Sequence, residues 1–362
     1  MNQYERVPEP DVRAGGLLAG PRGRELCARL AGIDVREIRD QLIPPSASVA
    51  LIAVPEDAGE PAGAEESSRD GEERPAVNFD PGDELAGIPA LADVVTDANY
   101  WGGPYWGCAS TADPLDHPAI VPEIRMMAPR VAQAAGCQWW WSDIDRAAQR
   151  YVQWTAHEDP APIVGNAAEM LRRADLEADD LERRMSRDRH LAAGSGVAGP
   201  WWSHPFAGAI STTWRAGRLG AVLLAGQEDG FGDTAAVVWP LAVADMARVF
   251  EVDGPGAWQR LVAAYPRTVT ATYRHTWAWT GWDGEWLMPR WSAVAHDWDG
   301  AHLTVAGYLA TAGRALPVGA ARTLLGGWNP DETYWLADVV TANGEAQAWH
   351  NSGDSPLGWK DH

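Results

Sequence analysis

From Val269 the chain alternates. Val269, Ala271, Tyr273, His275, Trp277 and Trp279 fall on one side, and Thr268, Thr270, Thr272, Arg274 and Thr276 on the other. That period-two pattern, rich in β-branched and aromatic residues, predicts a strand. Asp283-Gly284 tolerates the positive φ of a tight hairpin turn, and residues 285–288 return as the partner strand. Pro289 suits the first turn of a helix, in which Trp291, Val294, Ala295 and Trp298 form one apolar stripe. Asp299-Gly300 closes that helix, and alternation from Ala301 to Leu309 predicts a further strand.

Upstream, Pro21 opens a helix carrying Leu26 and Leu30, residues 35–42 continue the helical pattern, and residues 48–54 predict a short strand. Residues 55–83 are rich in Glu, Asp, Gly and Pro and read as a disordered linker, because they bury too little apolar surface to offset ordering entropy. Helices are expected over 85–99, from 119 with a kink at Pro129, from 143 with Asp143 as N-cap, and over 166–191. The last is charged, with only Leu171, Ala174, Ala178, Leu181 and Met185 as a thin apolar seam. Strands follow at 209–214, 220–225, 235–241, 248–252 and 333–340, with a helix opened by Pro255.

Helices early and strands late predict an α+β fold: a helical N-terminal half, then a mostly antiparallel, Trp-rich β-sheet domain with a few packed helices. The expected segments are 1–54, the linker 55–83, a helical region 84–193, an α+β domain 194–345 and a polar tail 346–362.

Charge narrows the partners. With 29 basic against 50 acidic residues and a net charge of −21, the chain lacks the concentrated cations that nucleic acid or an anionic membrane requires. The N-terminus has no secretory pattern, and no apolar run is long enough to span a bilayer. Cys27, Cys108 and Cys137 are odd in number and widely spaced, which argues against a disulfide framework or thiolate zinc site and for a reduced cytoplasm.

No motif settles the chemistry. Residues 194–199 match GxGxxG and residues 230–235 a GxGxxA variant, but neither sits between a strand and a helix as a dinucleotide loop must. His296, Asp297 and His302 are the candidate ligands for a divalent metal; the competing reading is a capped helix end followed by a partly buried histidine. No other cofactor is expected. His275 sits among aromatics, as a tuned base or as a hydrogen-bonded core residue. Glu228, Asp229, Asp299 and Glu332 are the candidate carboxylates for a catalytic pair. Ser203-His204 is adjacency, not a dyad. Tryptophan is the strongest oddity, at 21 residues; Trp201, Trp202, Trp277, Trp279 and Trp282 are candidates for a ligand-stacking surface.

The stretches GPRGRELC (20–27), 275–318 and GWNPDETYWL (327–336) together resemble a group of uncharacterised, Trp-rich actinobacterial proteins, a resemblance that implies no activity. The leading expectation is therefore a binding or protein-interaction module using tryptophan-lined surface, with a small molecule or a protein as partner. The alternative is a hydrolase of a sugar-like or small polar substrate, with His275 or His302 as base and Glu228, Asp229 or Asp299 as acid or metal ligand.

Overall fold

The computed structural model describes residues 8–34, 79–83, 85–96, 114–155, 165–187, 203–205, 210–228, 233–272, 280, 282–353, 355 and 357–361. The expected strand at 48–54, most of the linker, the glycine pattern at 194–199 and most of the strand over 269–279 lie outside them.

The fold is α+β, as expected. Its strands in chain order are β1 (Gln149–Trp154), β2 (Ser211–Trp214), β3 (Ala235–Val243), β4 (Val249–Val252), β5 (Pro266–Thr268), β6 (Leu287–Pro289), β7 (Gly300–Leu303), β8 (Leu316–Val318), β9 (Ala321–Thr323), β10 (Glu332–Trp335), β11 (Val340–Ala342), β12 (Gln347–Asn351) and β13 (Trp359–Asp361). Nine of them form one sheet in the order β13-β12-β3-β1-β2-β10-β7-β4, with β11 on the far end of β3. Every ladder is antiparallel except β4–β7.

The helices are α1 (Pro10–Ala19), α2 (Pro21–Leu30), α3 (Ile88–Thr96), α4 (Val121–Gln133), α5 (Ala167–Arg187), α6 (Pro255–Ala264), α7 (Trp291–Val294) and α8 (Val305–Thr311). The first four supply the helical N-terminal half, and their Leu17, Leu26, Val94 and Val131 share one core with Trp258, Leu303 and Trp328 of the C-terminal half. Among the described residues no helix is long and apolar enough to cross a membrane.

At the junction lies α8, every residue of which is buried. The alternation from Ala301 to Leu309 predicted one strand; the chain instead ends β7 at Leu303 and turns into this helix. The Thr304 hydroxyl caps it by accepting from the Gly307 N–H at 2.8 Å. A helix buried all round has no polar stripe, so its period is invisible in the sequence.

Two glycines let backbones meet here. A Cβ on Gly307 would lie 2.0 Å from the Val252 carbonyl oxygen, and one on Gly20 would lie 2.0 Å from that of Leu309. Gly307→Ala is therefore expected to destabilise by about 1–3 kcal/mol through overpacking. Gly15→Ala, with nothing within 4 Å of its Cβ, should instead stabilise α1 by about 0.5–1 kcal/mol. Urea melts of the two variants check the contrast in sign.

Several local expectations give way to tertiary pairing. Residues 143–152 were expected as a helix but form a short 3-10 turn, Arg146–Ala148, and then β1. Asp145 rather than Asp143 caps the turn, accepting from the Ala147 N–H at 3.0 Å. The run QRYVQW is held between β2 and β3, which supply ladders on both sides. Residues 220–225, expected as a strand, leave Gly220 at φ 80° and form the 3-10 turn Val222–Leu224. The expected polar tail is the β12–β13 hairpin, with Trp349 and Trp359 buried against Val152 and Val238. Pro289 ends β6 instead of opening a helix, α7 is only four residues long, and Gly300 starts β7.

Helix α5 docks through its thin seam, with Leu171 buried in the core, and through charge. Asp175 meets Arg267 at 3.0 Å and accepts from the Ser292 N–H at 2.9 Å. Asp179 takes both arms of Arg290, and Glu182 accepts from the N–H groups of Ala271 and Thr272.

Candidate functional site

Strand register assembles the first polar array. Glu251 on β4 and Thr333 on β10 are the cross-strand partners of His302 on β7. Asp331, just before β10, adopts φ 62°, a left-handed conformation that a short polar side chain tolerates. The His302 Nδ1 lies 2.5 Å from Glu251 Oε2, and its Nε2 lies 3.5 Å from Asp331 Oδ1. The far oxygens are also held: Glu251 Oε1 accepts from the Ile144 N–H at 3.1 Å, and Asp331 Oδ2 from the Trp214 N–H at 2.6 Å. Burial alone would push the His302 pKa down, but the charges and hydrogen bonds of Glu251 and Asp331 outweigh it and raise it to about 10. His302 is thus an imidazolium at neutral pH, with both ring nitrogens donating.

The GWNPDE turn extends this array inward. Glu332 Oε2 accepts from the Asn329 N–H at 3.2 Å and from its side-chain amide at 3.0 Å, and burial raises the Glu332 pKa. The Asn329 Oδ1 accepts from the Glu228 N–H at 2.7 Å. Glu228 Oε1 in turn accepts from Arg22 Nη2 at 3.0 Å and from the Tyr308 hydroxyl at 3.4 Å. Arg22 also donates to the Val94 carbonyl at 2.5 Å and lies 3.7 Å from Glu25, which Arg29 serves at 2.6 Å. Burial raises the Glu228 pKa in spite of Arg22, and its Oε2 has no hydrogen-bond partner. The Glu228 side chain is 0 % exposed. Its carboxylate is enclosed rather than presented to solvent.

The other expected site residues scatter. Asp299 is gripped by Arg248, whose guanidinium donates to both carboxylate oxygens at 3.1 Å. These hydrogen bonds, opposed by partial burial, lower its pKa. Asp297 accepts from the Tyr265 hydroxyl at 2.7 Å. His296 and Asp297 are exposed while His302 is buried against Glu251 and Asp331, so the three do not converge. No group of three metal-ligating side chains is found among the described residues. The Ser203 hydroxyl donates to the Leu324 carbonyl, and the neighbouring His204 ring stacks on Tyr334 at 4.4 Å, with burial lowering its pKa to about 4. Asp229, His275, Trp201, Trp202, Trp277 and Trp279 lie outside the described residues.

The tryptophans that are described mostly build the core. Trp258, Trp291 and Trp328 pack edge to face, and their indole N–H groups donate to Thr323 Oγ1, the Ser203 carbonyl and the Glu332 carbonyl. Trp282 is half-buried beneath Arg322, whose guanidinium sits 4.4 Å from the ring centroid.

An open site lies elsewhere, on the sheet. A cavity of about 360 Å³ is lined by Arg150 of β1, by Arg215 and Arg218 beyond β2, by Pro240 of β3, and by Glu345, Gln347, Trp349 and Asp361 from the C-terminal hairpin and the turn before it. Arg150 is half-buried; Arg215 and Arg218 are exposed. One arm of Arg150 donates to the Gln149 carbonyl at 2.9 Å. None of the three guanidinium groups has a carboxylate partner among the described residues. Burial, and then the charge of Arg215, lower the Arg150 pKa. Sequence reasoning passed over this cluster because it depends on the β1–β2 register, which sets Arg150 against Thr213. The single local hint was two arginines in WRAGR, 214–218.

Comparison with protein-family models, curated proteins and solved structures found no match.

Proposed function

We propose that the protein is a binding protein whose ligand enters the arginine-lined cavity on the sheet. The observation that carries the reading is the convergence of Arg150, Arg215 and Arg218, each without an acidic partner among the described residues, in a chain of net charge −21. Glu345 and Asp361 line the cavity but form no ion pair with the three; guanidinium groups left together unpaired cost repulsion that an anionic ligand would relieve. This reading shares a binding protein with the expectation from the sequence but proposes another site; Trp201, Trp202, Trp277 and Trp279 lie outside the described residues. Against His302 and Glu228 as a hydrolytic pair stands their state: His302 holds its proton near neutrality and is no free base, and Glu228 is enclosed, while His275 and Asp229 lie outside the described residues. The compartment we propose is the cytoplasm, where Cys27 and Cys137, free and buried with thiols pushed up to about 12, stay reduced.

The test is a thermal-shift titration of the full chain with small anions against sodium chloride of equal ionic strength. A ligand at a hundredfold excess over its Kd stabilises the native state by about 2.7 kcal/mol. The shift is expected in the wild type and lost when Arg150, Arg215 and Arg218 are all replaced by Gln. Equal shifts in both proteins would remove the reading.

A further inference from the structure

We infer that this cavity takes the phosphate monoester of a polyol, with the phosphate held by Arg150, Arg215 and Arg218. The inference rests on the reading of the cavity as the binding site and goes on to name what binds there.

Strand register sorts the lining into two walls. Arg150 pairs with Pro240 across β1–β3, and Trp349 with Ala236 across β12–β3; Asp361 in turn pairs with Trp349. Directly opposed residues share a face of the sheet. Ala236 and Pro240 lie an even number of residues apart on one strand, so all five share that face. Strand β3 lies between β12 and β1 in the sheet. Arg150 therefore rises on one side of Pro240, and Gln347, Trp349 and Asp361 on the other, with Glu345 from the turn before β12 and with Arg215 and Arg218 beside the turn that packs on Trp349.

The basic wall fits phosphate better than carboxylate. A guanidinium offers five N–H donors in a rigid fork. Three such forks match the three terminal oxygens and nearly double charge of a phosphate monoester. A carboxylate brings two oxygens and one charge, and so offsets less of the three positive charges than a phosphate monoester does.

The wall is also held in place. Gly217 and Gly220 adopt φ 50° and 80°, and a Cβ on Gly220 would come within 2.4 Å of the Trp349 ring. The turn that carries Arg215 and Arg218 thus lies flat on an indole fixed by the β12–β3 ladder. Only glycine allows both the conformation and the approach.

The opposite wall specifies the organic part. About 360 Å³ falls within the range of small-molecule sites and exceeds what a bare phosphate fills. In the same cavity, across Pro240 from Arg150, Glu345, Gln347 and Asp361 offer side-chain oxygens, which accept hydrogen bonds from hydroxyl groups. A polyol presents hydroxyls to all three acceptors, where an aromatic or aliphatic ester presents none.

The experiment is isothermal titration of the full chain with a matched pair, glucose 6-phosphate and glucuronate, which share a ring and differ in the anion at C6. Inorganic phosphate is the third probe. Glucose 6-phosphate is expected to bind at least about tenfold more tightly than either of the others. The exposed substitutions Arg215→Gln and Arg218→Gln should each weaken it about tenfold, the loss of a charge-assisted hydrogen bond. Gln347→Ala should weaken glucose 6-phosphate several-fold and leave inorganic phosphate unchanged. Affinity should rise between pH 5 and pH 7.5 as the phosphate takes its second charge, with a pKa of about 6. Circular dichroism checks that each variant is folded.

Glucuronate binding as tightly as glucose 6-phosphate, with the same dependence on Arg215, would overturn the phosphate assignment and leave the binding reading standing. Inorganic phosphate binding as tightly as glucose 6-phosphate would overturn the polyol. No binding by any of the three, or binding indifferent to both arginine substitutions, would remove the inference and the underlying reading together.

Discussion

Arg22→Met is expected to lower the unfolding free energy by about 3–5 kcal/mol, the cost of stranding a buried charge by removing its partner. Arg22 is 0 % exposed, and its Nη2 lies 3.0 Å from a Glu228 carboxylate whose other oxygen already lacks a partner. Without Arg22, Glu228 either takes up a proton or keeps an uncompensated charge in the core, and both are costly. Glu25 suffers less, because Arg29 still holds it at 2.6 Å. The decisive comparison is a double-mutant cycle. Glu228→Gln in the Arg22→Met background removes the stranded charge and should recover a substantial part of the loss. The Asn329 link, made to the Glu228 backbone N–H, is untouched by that change. Urea melts of the wild type, both single variants and the double variant give the coupling energy. A coupling below about 0.5 kcal/mol, the level at which independent sites simply add, would mean that the ion pair does not join α2 to the sheet.

The reach of sequence reasoning in this molecule follows from how far apart the partners lie. Strands β2, β3 and β4 and helices α3, α4 and α6 were legible because turn residues bracket them and their apolar periods are local. Strand β1 was misread because a short amphipathic match fits a helix and a strand alike, and only the β2 and β3 ladders decide between them. Helix α8 was misread because burial on every side erased its period.

The polar array is a different case. The stretches 20–27, 275–318 and 327–336 stood out in the sequence, and the fold brings parts of them together: Gly20 against Leu309, Arg22 onto Glu228, and Glu228 onto Asn329. Nothing local marks Arg22 as buried, since its acid lies 206 residues away. His302 was noticeable in the sequence, but its carboxylates Glu251 and Asp331 were not singled out. Their protonation was not, because Glu251 meets the ring through β4–β7 register and Asp331 through a left-handed turn. The three cavity arginines are ordinary surface residues until β1 and β2 pair.

The His302 proton should be visible as a loss of stability at alkaline pH. In the unfolded chain the imidazole titrates near 6.5, and in the fold at about 10. A group whose pKa rises on folding contributes stability that is fully present below the unfolded value and lost as pH climbs through the folded one. The contribution is therefore complete below pH 6.5, shrinks between 6.5 and 10, and is gone above 10. Each pKa unit is worth about 1.4 kcal/mol, so the proton ties several kcal/mol to the link between β4, β7 and the GWNPDE turn. Lys360 is the single lysine in the chain, which leaves few other cations to titrate across that window. His302→Gln should be less stable than the wild type at pH 6.5, because Glu251 and Asp331 then face a neutral side chain. Its stability should also vary less from pH 6.5 to 9.5, so the two urea-stability curves converge as pH rises. Parallel curves, or an imidazole NMR titration of His302 with its midpoint near 6.5, would show that the two carboxylates do not hold the proton. The array would then be a neutral hydrogen-bonded histidine, and the case against His302 as a general base would fall with it.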